Sequence, residues 1–195
     1  VVTDADWASV PGPITASGLY AGEHHDARRA LVDDAGRTPS EAGFDAAGWA
    51  PVAVVDDVPA PGARVSPFVR RTEEIAVADV ITTPSGRTVV DFGQNLVGWA
   101  RLKVQGAAGT TVELFFNEML NPDGTVYREN LHAGKMGKAE SQTDRYTLRG
   151  GGVETFEPHF TYHGFRYVEV KGLKRKPDAS LLTGRVFHTA FAPAG

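Results

Sequence analysis

The chain has 195 residues, 42% of them apolar, enough for one large or two small domains with a sizeable core. Its net charge of −4, with Lys and Arg scattered singly, leaves no basic footprint for nucleic acid or an anionic membrane surface. It has no cysteine, which excludes disulfides and thiolate zinc sites without fixing a compartment, and no apolar run near the roughly 20 residues of a membrane helix.

Residues 1–19 carry Trp7, Pro11, Pro13 and Ile14 and read as an extended lead along a sheet edge, because each proline removes an amide donor and fixes φ. Residues 18–31 are the first polar-dense stretch, with Glu23, His24, His25, Asp26, Arg28 and Arg29 close together. Residues 32–52 read as loops in which Phe44 and Trp49 plug into the core. Pro59, Pro61 and Pro67 make residues 54–71 a semi-extended connector. Residues 73–92 predict a hairpin with strands of about seven residues each. The stretch Arg87 to Val104, RTVVDFGQNLVGWARLKV, reads as two short strands hinged on Gly93-Gln94-Asn95. Residues 111–118, 143–150 and 159–172 are β-branched or aromatic and closed by Gly, Asn or Pro, and 181–191 form a final strand. Between them, residues 117–144 are the longest irregular stretch, with a plain turn at Asn121-Pro122-Asp123-Gly124.

Leu102 and Val104 alternate with Arg101 and Lys103, and Phe165, Tyr167 and Glu169 alternate with Arg166, Val168 and Val170. Period-two patterning of this kind predicts an all-β fold, an antiparallel β-sandwich of jelly-roll type. We expect a single sandwich module over 1–195, with the lead at 1–19, taken from a larger multidomain chain. Phe92, Trp99, Leu102, Phe115, Tyr146, Phe156, Phe160, Phe165 and Tyr167 are expected in the core or at its margin.

Histidines stand at 24, 25, 132, 159, 163 and 188. His159-x-x-x-His163 has the spacing of a helical zinc pair, but on a strand those side chains lie about 13 Å apart along one face. His24 and His25, adjacent on a strand, point to opposite faces. Glu113, Glu118, Glu154, Glu157 and Glu169 are placed on strands with no Trp-lined run around them, and most of them read as solvated sheet-face charges rather than as the carboxyl pair of a glycosidase. There is no Gly-x-Ser-x-Gly, P-loop or dinucleotide fingerprint, so nothing in the residues proposes catalysis. Calcium is better served: it takes hard oxygens from loop carboxylates and carbonyls, and Glu23, Asp26, Asp33 and Asp34 are the candidates.

At GEHHDARRA, GFDAAGW, VVDFGQNLVGWARLKVQGAAGTTVELFFNEMLNPDGTVYRENL, TDRYTLRGGGVETFEPHFTYHGFRYVEV and LTGRVFHTAF, the chain resembles bacterial α-L-rhamnosidases of glycoside hydrolase family 78. The resemblance runs nearly end to end and implies the non-catalytic β-sandwich portion before the helical catalytic barrel, a region that in some members is a rhamnose-binding module of carbohydrate-binding family 67. It implies that the fragment is not itself an enzyme. Its implied partners are L-rhamnose or rhamnose-containing glycans and the catalytic barrel of the parent chain. By the same resemblance calcium would hold the sugar, with Asp26 and the carbonyl of Pro67 as metal ligands and Glu23 and Arg28 as supporting polar groups; a sugar held there would want Trp49 or Tyr20 against its methyl group and Arg28 or His25 donating to a ring hydroxyl. Ala27 follows Asp26 where a calcium-binding member has Asn, and His25 stands where Tyr is common. The alternative is therefore a structural sandwich that braces the barrel.

Overall fold

Runs of β-branched and aromatic residues that alternate with polar ones form strands, and Gly, Asn or Pro closes many of them, as at Gly18, Gly106, Asn117 and Gly172. The computed structural model describes residues 4–55, 58–60, 62–131, 141–174 and 176–191. Pro61 and His132 lie outside the described residues. The strands are β1 (Ala8–Ser9), β2 (Ile14–Gly18), β3 (Gly22–Asp26), β4 (Ala50–Pro51), β5 (Val69–Ala76), β6 (Asp79–Thr82) and β7 (Thr88–Gln105). They continue with β8 (Thr111–Asn117), β9 (Thr143–Thr147), β10 (Val153–Phe156), β11 (His163–Lys171) and β12 (Leu182–Thr189). The described helical structure is limited to two 3-10 turns, Ala27–Arg29 and Glu129–Leu131.

Strands β1 and β4 form a small ribbon, and the other ten form one curled sheet in the order β2-β3-β9-β8-β11-β7-β12-β5, with β6 and β10 also on β7. The fold is an all-β sandwich. One pairing departs from the antiparallel expectation: β3 runs parallel to β9, with His24 opposite Arg145 and His25 opposite Tyr146. The extended lead supplies β2, the edge strand beside β3.

The stretch expected as two short strands is instead a single 18-residue strand, β7. It holds β6 and the end of β11 along Thr88–Asp91, then the start of β11 along Leu96–Gly98, and finally β12 and β10 up to Gln105. Gly93, at φ 77°, sits in the bulge between the two β11 registers. The expected 73–92 hairpin divides: β6 does pair with β7, but β5 crosses to β12.

The main core gathers Val90, Phe92, Leu102, Leu114, Phe116, Phe165, Val168 and Leu182. A smaller cluster of Val89, Phe115 and Val126 lies on the other side of β7 and β8, with Ile81, Leu120, Leu131 and Tyr167 against it. The β11 bulge between Phe165 and Tyr167 resets the alternation, so Val168 and Val170, not Tyr167 and Glu169, join Phe165 in the main core. Glu169 is not a solvated charge. It is fully buried, between Arg87 at 3.3 Å and Arg128 at 3.1 Å, and Arg128 also covers the Phe115 ring at 3.7 Å. Phe160 is 64% exposed rather than in the core, because it follows a bend and precedes β11. The Asn121-Pro122-Asp123-Gly124 turn closes as expected, with the Gly124 amide on the Asn121 carbonyl at 2.9 Å and Asp123 accepting from Thr125.

Candidate functional site

Strand β3, GEHHD, lies between β2 and β9, and its alternation sends consecutive side chains to opposite faces. Gly22 opens it at φ 113°, so close to β9 that a Cβ there would sit 2.0 Å from the Thr143 carbonyl oxygen. The next residue, Glu23, is wholly buried. Its backbone amide donates to Asp144 Oδ1 at 2.9 Å. Its Oε2 accepts from the amides of His159 (2.8 Å) and Phe160 (3.1 Å). The other oxygen, Oε1, faces two imidazoles: His159 Nδ1 at 3.3 Å and His25 Nδ1 at 3.9 Å.

His25 is wedged between Tyr146 and Phe156, both at 5.5 Å, and stacks on His159 at 6.4 Å between centroids. Its Nδ1 is buried and has no hydrogen-bond partner. Burial pulls the pKa of His25 down; nearby Glu23 opposes that effect and His159 adds to it. On the other face, His24 Nε2 lies 2.8 Å from the Arg145 guanidinium. A guanidinium can only donate, so His24 accepts on Nε2. Burial and then Arg145 lower the His24 pKa.

Asp26 caps the 3-10 turn that follows. Its carboxylate accepts from the Arg28 amide at 3.1 Å and from the Arg28 side chain at 2.9 and 2.8 Å, which holds its pKa down at about 2. Asp33, another carboxylate with calcium-binding potential, is taken up by Arg37 and by the amides of Ala35, Arg37 and Asp45. Trp49 is half-buried against Phe44, with centroids 5.4 Å apart, in a loop outside the main core. Pro67 is exposed, and its carbonyl accepts from Arg64. The structure thus brings Glu23 together with His25, and Asp26 with Arg28. Among the described residues no hydrogen bond, ion pair or ring contact joins Trp49 or Pro67 to either pair.

The residue that sequence reasoning missed is His159. It lies outside β11, whereas His163 is buried beside Asp144 at 3.1 Å and stacks on Phe116 at 4.2 Å. The two histidines therefore serve different partners rather than sharing one strand face. Glu23, His25 and His159 together offer three metal-ligand atoms within 4.8 Å of one another.

His159 also lines a cleft of about 390 Å³ with Leu19, Val69, Arg70, Arg71, Trp99, Phe160, Tyr162 and Phe187. The Trp99 indole donates to Glu157 at 2.7 Å and packs on Phe187 at 4.9 Å, while Tyr162 meets Phe187 edge-on at 5.6 Å. A second cavity of about 460 Å³ is lined by Lys103, Leu148, Lys174, Lys176, Asp178 and Leu181 among others, with no aromatic ring among its described residues.

The family described as bacterial alpha-L-rhamnosidase concanavalin-like domain matches residues 81–188, and the alpha-L-rhamnosidase N-terminal domain matches residues 1–73. This chain belongs to the bacterial α-L-rhamnosidase family. An α-L-rhamnosidase of Streptomyces avermitilis is 45% identical over 192 residues, 97% of this chain and 18% of that protein. One from Formosa agariphila is 30% identical, over 99% of this chain and 20% of its own length. The crystal structure of the Streptomyces avermitilis α-L-rhamnosidase complexed with L-rhamnose superposes with a TM-score of 0.86 at 44% identity, over 97% of this chain and 18% of that one. The native Aspergillus terreus enzyme gives 0.82 at 37% identity, over 97% and 21%. The chain thus spans about a fifth of the relatives it matches. Among the described residues no helix is long and apolar enough to cross a membrane.

Proposed function

We propose that this chain is a non-catalytic accessory sandwich of an α-L-rhamnosidase, and that its main task is to dock onto the rest of that enzyme, the catalytic barrel foremost. The observation that carries this reading is how the polar candidates are used. Asp26 is closed off by Arg28, and Glu23 holds the bend before β11, so both act within the fold. Meanwhile Leu19 (49% exposed), Tyr20 (66%) and Phe160 (64%) stand open around the aromatic cleft. Exposed apolar surface of this kind marks a contact face, and about four-fifths of each matched relative's length lies outside the match and could cover it. β2 and β3, from the stretch matching the N-terminal domain, share the sheet with β7 to β12, which supports treating 1–195 as one module.

Calcium does not fit the residues assigned to it. Both Asp26 oxygens already accept from Arg28, among the described residues no hydrogen bond or ion pair links Pro67 to Asp26, and the cluster that does form presents two imidazoles, where calcium takes six to eight oxygens. Sugar binding remains a second reading, favoured by the cleft: aromatic walls of Trp99, Tyr162 and Phe160 with Arg70, Arg71 and His159 at hand suit a deoxysugar. That reading takes L-rhamnose or a rhamnoside as ligand without metal.

The experiment is Phe160→Asp, with and without Leu19→Asp, in the parent enzyme and in this chain alone. Docking predicts a lower melting temperature and easier proteolysis for the enzyme, with the isolated chain unaffected. If the enzyme's stability is unchanged while calorimetric titration shows that L-rhamnose binding is lost, the sugar reading replaces docking. In either case Asp26→Ala should lower the melting temperature equally in calcium and in chelator.

A further inference from the structure

Glu23 has one oxygen committed and one free. Oε2 takes both backbone amides of the bend, so Oε1 is left for His25 and His159 together. Neither imidazole is well served by it: His159 lies at 3.3 Å, and His25 at 3.9 Å has no hydrogen bond on a buried Nδ1. A buried ring nitrogen without a partner, aimed at a carboxylate that another imidazole also faces, is costly unless something sits between them.

We infer that Glu23, His25 and His159 form a binding site for a divalent transition-metal ion of the zinc class. The inference does not depend on the docking or sugar readings. Zinc is held by His nitrogen and carboxylate oxygen at about 2.0–2.2 Å, which sets tetrahedral ligand atoms roughly 3.3 Å apart. Two of the three separations here are 3.3 and 3.9 Å. The His159 ring is 59% exposed and free to close the remainder, and it gives the ion its entry path. Two imidazoles select zinc, nickel or copper over calcium and magnesium. The outer partners are also in place. The amides of His159 and Phe160 fix Glu23 Oε2, and Asp144 fixes the Glu23 backbone, so the carboxylate is held in one orientation toward the two rings. Three protein ligands leave a fourth position for water or another ligand, and His159 also lines the aromatic cleft.

The test titrates the full 195-residue chain, stripped with chelator, with ZnCl2 and separately with CaCl2 by calorimetry. The expected result is one zinc ion per chain, no saturable calcium binding, and a rise in melting temperature with zinc that chelator reverses. Loss of an outer partner alone costs about 10–100-fold in metal affinity, and His159→Ala and Glu23→Gln, each removing a ligand, should cost at least that. His159→Ala alters an exposed ring, so its fold can be checked by the unchanged β spectrum. Cobalt(II) in place of zinc should give visible d–d absorption that vanishes in the same variants. Equal zinc affinity in the wild-type chain and His159→Ala, or loss of binding in a control His188→Ala variant instead, would overturn the inference.

Discussion

At the scale of single residues, Glu23 and His25 bear opposite kinds of burial. Glu23 is wholly buried and accepts from two amides at the bend, so removing it strands both. Glu23→Ala should cost about 2–4 kcal/mol in urea unfolding, with Glu23→Gln costing less because it still accepts from the amides. His25 is held neutral, its pKa below the ordinary 6.5. The unfolded chain therefore binds the proton that the folded chain refuses, and stability falls as pH drops below about 6.5. His24, lowered likewise, adds in the same direction. In chelator, unfolding measured from pH 7 down to pH 5 should show this loss, and His25→Phe should reduce the slope. Little of this could be read from the sequence. The GEHHD alternation correctly separates His24 from His25, but the partner that completes the cluster, His159, lies 136 residues from Glu23, beyond any local pattern.

At the scale of elements, the apolar rhythm of β7 is plain in the sequence, and Leu102 and Val104 sit where it places them, whereas on β8 the expected Phe115 lies in the smaller cluster and Leu114 and Phe116 fill the main core. What the rhythm hides is backbone geometry. Gly93 looks like a hinge because glycine ends strands, yet the chain absorbs the extra residues as a bulge and β7 runs on. The β11 bulge likewise sends Tyr167 and Glu169 away from the face that strict alternation gives them. Gly22 is the tightest such point near the site. An alanine there would force a left-handed φ and drive Cβ into the Thr143 carbonyl, so Gly22→Ala should destabilise by more than the roughly 1–3 kcal/mol that φ alone costs. Chemical denaturation measures the loss, and an unchanged midpoint would show that β3 does not lie against β9.

At the scale of the whole molecule, the sandwich class follows from composition and alternation, whereas the joining of β3 to β9 does not, because parallel pairs leave no turn signature between them. Without the helical barrel that the family resemblance places elsewhere in the parent enzyme, the isolated chain should release no sugar from a chromogenic rhamnoside. Activity that survives purification and disappears with a point change in this chain would refute that. The β3–β9 pair also has a consequence for biogenesis. Glu23 and its anchor Asp144 are 121 residues apart, so at about 5–20 residues per second a ribosome delivers the second about 6–24 s after the first. Throughout that interval β2 and β3 have only each other to pair with. β5 waits in the same way for β12, which is made after β9, so both early strands reach the sheet only when its carboxy-terminal half has been synthesised.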